Sequence, residues 1–170
     1  MKHIYLKLLV ILAIISLFMA CTGFGNKVKV KVVLLNINAL HTGSIEKILL
    51  EQTADISGSG RTELYAKALK CLREKNLPAD MEAGTAFKNQ YKINYISESC
   101  GEVTVDFSSR NLTGTETEER LLIAQIVGTL TGSFEEVERV FFTVDGETAE
   151  TLMGHVSIAY SFASPLEAAV

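Results

Sequence analysis

Ser44-Ile45-Glu46-Lys47 sets a hydroxyl and an amine three positions apart. That is the S-x-x-K spacing in which a lysine helps to activate a serine nucleophile for acyl transfer. Ser109-Arg110-Asn111 follows as S-x-N, but the K-T-G that completes such a site is missing, since Leu112-Thr113-Gly114 and Leu130-Thr131-Gly132 both lack the lysine. A metal site needs converging ligands. His3, His41 and His155 are far apart, and Cys21, Cys71 and Cys100 show no C-x-x-C spacing. Gly58-Ser59-Gly60 opens like a dinucleotide-binding loop, but Glu63 stands where the third glycine belongs. Glu116, Glu118 and Glu119 open a helix, where carboxylates favour the positive end of the dipole. Solvated faces account for them and for Glu135, Glu136 and Glu138. The expectation is therefore no catalytic residue, no cofactor and no metal ligand. Cys71 reads as a small core residue and Cys100 as a turn residue, with free thiols favoured over a disulfide between them.

Cys21 has a different chemistry. Lys2 and Lys7 precede an apolar run from Leu8 to Ile15 that continues through Met19, the charged-then-apolar plan of a secretory signal. The run is shorter than the ~20 residues of a comfortable membrane span. Ala20-Cys21 then resembles a bacterial lipobox, with Phe18 where leucine is favoured. In this reading residues 1–20 are a lipoprotein signal peptide and Cys21 is the lipidation site, carrying palmitate-type chains as the mature N-terminus. More than one acyl chain gives lasting attachment. The alternative is an uncleaved N-terminal anchor. Either way the chain is expected on the extracytoplasmic face of a bacterial cell membrane.

The elements that would carry these residues follow from pattern. The chain has 170 residues, 48% hydrophobic and 21% charged, with a formal charge of −4, which fits a globular domain and argues against a nucleic-acid partner. Without residues 1–20 the charge is −6, from 14 basic and 20 acidic residues. Residues 21–27 form a short spacer. Lys27 to Val32 alternates with period two and predicts a half-buried strand, becoming fully buried through Val33-Leu34-Leu35. Its lysines suit the exposed side of an edge strand better than a lipid-binding role. Residues 44–56 are ambiguous between strand and short helix, and Ser57 to Gly60 breaks the chain.

Arg61 to Lys75 predicts a helix with Leu64, Ala68, Cys71 and Leu72 on one face, ended by Pro78. Gln90 to Ile96 and Val103 to Phe107 predict a hairpin around Ser97 to Glu102. Thr115 to Glu118 has the capping-box form, ahead of a helix over Arg120 to Thr131 that is apolar around most of its circumference. Gly128 inside it requires a close approach by another element. Val137 to Val144 and Val156 to Phe162 predict two further strands, the first ending at the turn Asp145-Gly146. The fold class is α+β, with two helices packed on one face of a mostly antiparallel or mixed sheet.

Five segments in order resemble the GerMN domain family of sporulation and germination proteins. Asn89 to Ile96 with Val103-Thr104-Val105-Asp106-Phe107-Ser108 resembles its hairpin, whose second strand reads V-D-hydrophobic-S. Leu121 to Leu130 is similar to its helix with the closing T-L. Val137 to Gly146 is similar to its next strand with the V-D-G turn. Gly154-His155-Val156-Ser157-Ile158 is similar to its final segment, and Leu77-Pro78 with Gly84-Thr85 to its L-P and G-T stretch. The resemblance places a GerMN-like domain over residues 28–165 and implies a fold like ring-building modules, used for protein–protein association. It implies no catalytic residues, and Asp106, Ser108, Asp145 and Gly146 are expected to bond local backbone.

The expected function is a membrane-tethered extracytoplasmic interaction domain that supports sporulation, germination or envelope assembly. Its partners would be the membrane through Cys21 and other envelope proteins, with self-association among the contacts. The alternatives are a small peptidoglycan-related enzyme using Ser44 and Lys47, and a ligand-binding lipoprotein.

Overall fold

The computed structural model describes residues 26–43, 48–73 and 82–169. The leader, Cys21, Ser44, Lys47 and Pro78 lie outside them. Among the described residues there are six strands and four helices: β1 (Asn26–Asn36), α1 (Ile37–Thr42), β2 (Leu49–Gly58), α2 (Arg61–Cys71), β3 (Ala83–Gly84), β4 (Ile93–Ser99), β5 (Glu102–Phe107), α3 (Glu116–Ser133), β6 (Arg139–Val144) and α4 (Pro165–Ala169). The class is α+β with mixed pairing, and the strands divide into two sheets, ordered β2-β1-β3 and β4-β5-β6. The pairs in the first sheet are antiparallel, whereas β5 and β6 run parallel.

The alternation in β1 is realised as the sequence predicts. Lys27, Lys29 and Lys31 are exposed while Val30 and Val32 are buried, and Val33, Leu34 and Leu35 are then buried in succession. The register with β2 sets Lys29 across from Asp55 and Lys31 across from Thr53. Lys31 Nζ also lies 3.6 Å from a Glu51 carboxylate oxygen. Asn36 caps the short helix α1, its side chain accepting the Ala39 N–H, and Gly43 ends it at φ 68°. From Leu49 the ambiguous segment resolves as strand. A strand fits because its core-facing positions include Ala54 and Ile56 beside Val30 and Val28.

In α2, Tyr65, Ala68 and Leu69 are buried, as is Leu72 just beyond it, so the packed face shares Ala68 and Leu72 with the predicted one but is turned toward Tyr65 and Leu69, leaving Leu64 and Cys71 half-buried. The β4–β5 hairpin turns on two residues, Cys100 and Gly101, with φ of 52° and 81°. Positive φ at both positions matches the twist of the flanking strands. The turn is tighter than the six polar residues suggest, because Ser97, Glu98 and Ser99 pair with Thr104, Val103 and Glu102. At the start of α3 both halves of the capping box form: the Thr115 side chain accepts the Glu118 N–H, and the Glu118 side chain accepts the Thr115 N–H.

Residues 156–162 do not form the predicted last strand. They make isolated pairs only, Ser157 with Thr151 and Phe162 with Val140. Val156, Ile158 and Phe162 are buried, while Ser157, Ala159 and Tyr160 are exposed. The apolar spacing loses its period of two after Ile158, so the segment buries side chains without a continuous ladder. One core spans both sheets, with Phe87, Phe107, Phe142 and Phe162 in a chain of ring contacts at 6.0, 6.5 and 5.8 Å.

Candidate interaction surface

The inner edge of β1 is sealed by side chains of α3. Gln125, Thr129 and Ser133 lie four residues apart and form one polar line along a helix whose other buried residues, Glu119 apart, are apolar or glycine. Ser133 Oγ accepts the Lys31 N–H at 2.9 Å and donates to the Lys31 carbonyl at 2.8 Å. Thr129 Oγ1 accepts the Val33 N–H at 3.0 Å. Gln125 Nε2 donates to the Val33 carbonyl at 2.9 Å, and its Oε1 accepts the Ala86 N–H at 2.7 Å. This line takes the place of a strand where β3 is too short to reach, and buried backbone groups require some such partner. It brings α3 close enough that a Cβ at Gly128 would stand 3.0 Å from Val33 Cγ2, the close approach that the glycine predicts.

Buried carboxylates fix the loops around the second sheet. Glu119 is fully buried and accepts the N–H groups of Leu152, Met153 and His155, each at 2.9 Å. This corrects the expectation of a solvated face: of the three acids opening the helix, Glu116 pairs with Arg120 and Glu118 with Lys88, while Glu119 turns inward. Asp106, 1% exposed, accepts from Asn94 Nδ2 at 2.9 Å, Thr143 Oγ1 at 2.6 Å and the Gly146 N–H at 2.7 Å. It thus ties three strands and a turn together, a wider role than bonding local backbone. Asp145 accepts the Ser109 N–H at 3.2 Å, and the hydrogen bonds from Ser109 hold its carboxyl below the usual range.

Two surface clefts flank α2. One, of about 350 Å³, lies against β4 and is lined by Thr62, Ala66, Leu69, Arg73, Phe87 and Ile96 among others. The Arg73 guanidinium sits 4.9 Å from the centre of the Phe87 ring and donates to the Asn89 and Tyr91 carbonyls, so it closes the cleft floor. Tyr95, 43% exposed, also lines this cleft. The other, of about 370 Å³, lies at the end of β2 beside Asp55, Ser57, Lys67, Lys70 and Cys71. Burial pushes the Cys71 thiol up, away from the thiolate that reacts. Glu63 is held down to about 2, first by its bond from Lys67 and then by Ser59. Burial, then the Glu136 charge, pushes Tyr65 up to about 12. The clefts offer apolar contact area with charged rims, which suits recognition.

The other residues singled out by the sequence are dispersed. Cys71 and Cys100 are free thiols. His41 is exposed near the end of α1, and His155 Nε2 lies 3.1 Å from the Gly114 carbonyl. Among the described residues no three His, Cys, Asp or Glu side chains converge as metal ligands, and no helix is long and apolar enough to cross a membrane. The polar line on α3 was missed in the sequence, although its four-residue spacing inside an apolar helix was a readable signal.

The chain was compared with known proteins. The family model described as sporulation and spore germination, named Germane, matches residues 28–150. No curated protein matches the sequence. Among solved structures, the first GerMN domain of the sporulation protein GerM from Bacillus subtilis is similar at 16% identity, covering 81% of this chain and 97% of that one, with a TM-score of 0.61. The tandem GerMN domains of the same protein give 16% identity and a TM-score of 0.63, with 81% of this chain and 46% of that one covered, so this chain spans less than half of the tandem structure. A candidate lipoprotein from Clostridium perfringens is 13% identical, covering 82% of this chain and 87% of that one, with a TM-score of 0.54.

Proposed function

The chain belongs to the Germane family of sporulation and spore germination domains, and from that premise we propose that it is a membrane-tethered, extracytoplasmic, non-enzymatic interaction domain. It would support sporulation, germination or envelope assembly by binding other envelope proteins. The observation that carries the reading is the family match over residues 28–150. Two others support it. The buried acids Glu119 and Asp106 are engaged in holding loops and strands. The leader ends in Ala20-Cys21, and a similar fold occurs in a candidate lipoprotein.

Crosslinking in native membranes of sporulating cells tests the reading. A discrete crosslinked species containing a second envelope protein is the expected result. Monomer alone at every stage would contradict the interaction role, and a β-lactam adduct lost in Ser44→Ala would contradict the non-enzymatic one.

A further inference from the structure

The chain is divided in charge along its length. Residues 26–73 carry eight Lys or Arg and four Asp or Glu, a net of +4, whereas residues 82–170 carry five and fourteen, a net of −9. β1, β2 and α2 come from the first stretch and the second sheet with α3 from the other, and the two stretches meet where Arg61 lies 3.6 Å from both Glu98 and Glu136. The basic charge is concentrated at one end of the first sheet. Lys27 and Lys29 are exposed on one face there, in register with Ser57 and Asp55. On the other face Lys67 bonds the Ser57 carbonyl, and Lys70 lines the same cleft as Ser57. Among the described residues Asp55 stands opposite Lys29 and Glu63 pairs with Lys67, which offsets part of this charge.

We propose that this basic end docks on the anionic headgroups of the membrane that holds the chain. The inference rests on the tethered reading above. Its geometry follows from chain length: five residues separate Cys21 from Lys27, and the six residue steps between them reach about 20 Å at full extension. The first lysines are therefore confined near the lipid surface and can come within the about 8–10 Å over which its potential persists. Lysine near an anionic leaflet adds about fivefold each to surface binding.

The test uses the full-length protein in phosphatidylcholine vesicles and in vesicles containing phosphatidylglycerol, with mass-spectrometric mapping of lysine acylation. With phosphatidylglycerol, labelling of Lys27, Lys29 and Lys70 should fall at least about threefold, within the effect available per lysine. Neutral vesicles or high salt should restore it, and Lys88 and Lys92 should be unaffected. The exposed pair Lys27→Gln with Lys29→Gln, which places no like charge opposite Asp55, should remove the protection at Lys70 while the thermal midpoint is kept.

Flotation with both vesicle types but identical labelling would overturn the docking and leave the tether standing. Flotation with neither would overturn the tether and the docking together. Protection that ignores lipid composition and grows with protein density would assign the basic end to a second copy and overturn the proposal.

Discussion

Where β1 turns its unpaired side toward α3, hydroxyl and carboxamide groups take up its N–H and C=O groups; around the second sheet, buried carboxylates hold the loops. The difference follows from what each edge presents. A strand edge alternates donors and acceptors, so its partner must do both, as Ser133 does toward Lys31 and as Gln125 does between Val33 and Ala86. A loop that points several N–H groups at one place needs an acceptor with many lone pairs, which an ionised carboxylate supplies. Glu119 receives three such groups from Leu152, Met153 and His155. Neutral groups therefore close the first sheet and charged groups the second.

The largest effect is expected from Glu119→Ala, which orphans three backbone N–H groups at once. With about 1–3 kcal/mol per buried unsatisfied group, partly relieved by water at the loop, the loss should be about 3–5 kcal/mol in chemical denaturation. Exchanging the chemistry of the two regions sharpens the contrast further. Gln125→Glu replaces the donor to the Val33 carbonyl with an acceptor and buries a charge, at a cost of about 3 kcal/mol at neutral pH. The folded-state pKa of the introduced carboxyl would be raised, so its cost is full above the folded pKa, shrinks as pH falls from there toward the unfolded pKa, and is gone below the unfolded one. Denaturation midpoints of Gln125→Glu and Gln125→Ala measured from about pH 7 to about pH 4 should therefore converge or cross.

Thr129→Val keeps the shape and leaves only the Val33 N–H unpaired, so about 1–2 kcal/mol is expected. The smallest effect is that of pH on the parent protein. Glu63, Glu118 and Asp145 are all held below their ordinary values by hydrogen bonds, Glu63 at about 2. Groups lowered on folding contribute stability above their unfolded pKa and lose it as pH falls through the folded one. The thermal midpoint should thus decline on acidification from about pH 5 toward pH 2, and Glu63→Gln with Glu118→Gln should flatten the decline.

Local signals in the sequence predicted the local structure. The alternation of Lys27 to Val32, the capping box at Thr115 and Glu118, and the turn at Asp145-Gly146 each depend on residues a few positions apart. The polar line on α3 shows in the sequence as a four-residue spacing, but the partners it bonds stand 39 to 102 residues away, which no local pattern contains. Glu119 shared its signal with Glu116 and Glu118, and only the arrival of the 152–155 loop distinguishes the buried acid from its neighbours. Val156, Ile158 and Phe162 carried a burial signal that was read as a strand, although burial does not require a ladder. The division of charge can be read by counting, whereas the contact of its two halves, with Arg61 beside Glu98 and Glu136, needs the fold.

The mass of the N-terminal peptide from protein extracted out of native membranes tests the central claim most directly. The account predicts a peptide beginning at Cys21, shifted by a diacylglyceryl group, and its recovery from the membrane fraction. An unmodified Cys21 in a chain that still begins at Met1 and remains in the soluble fraction would contradict it.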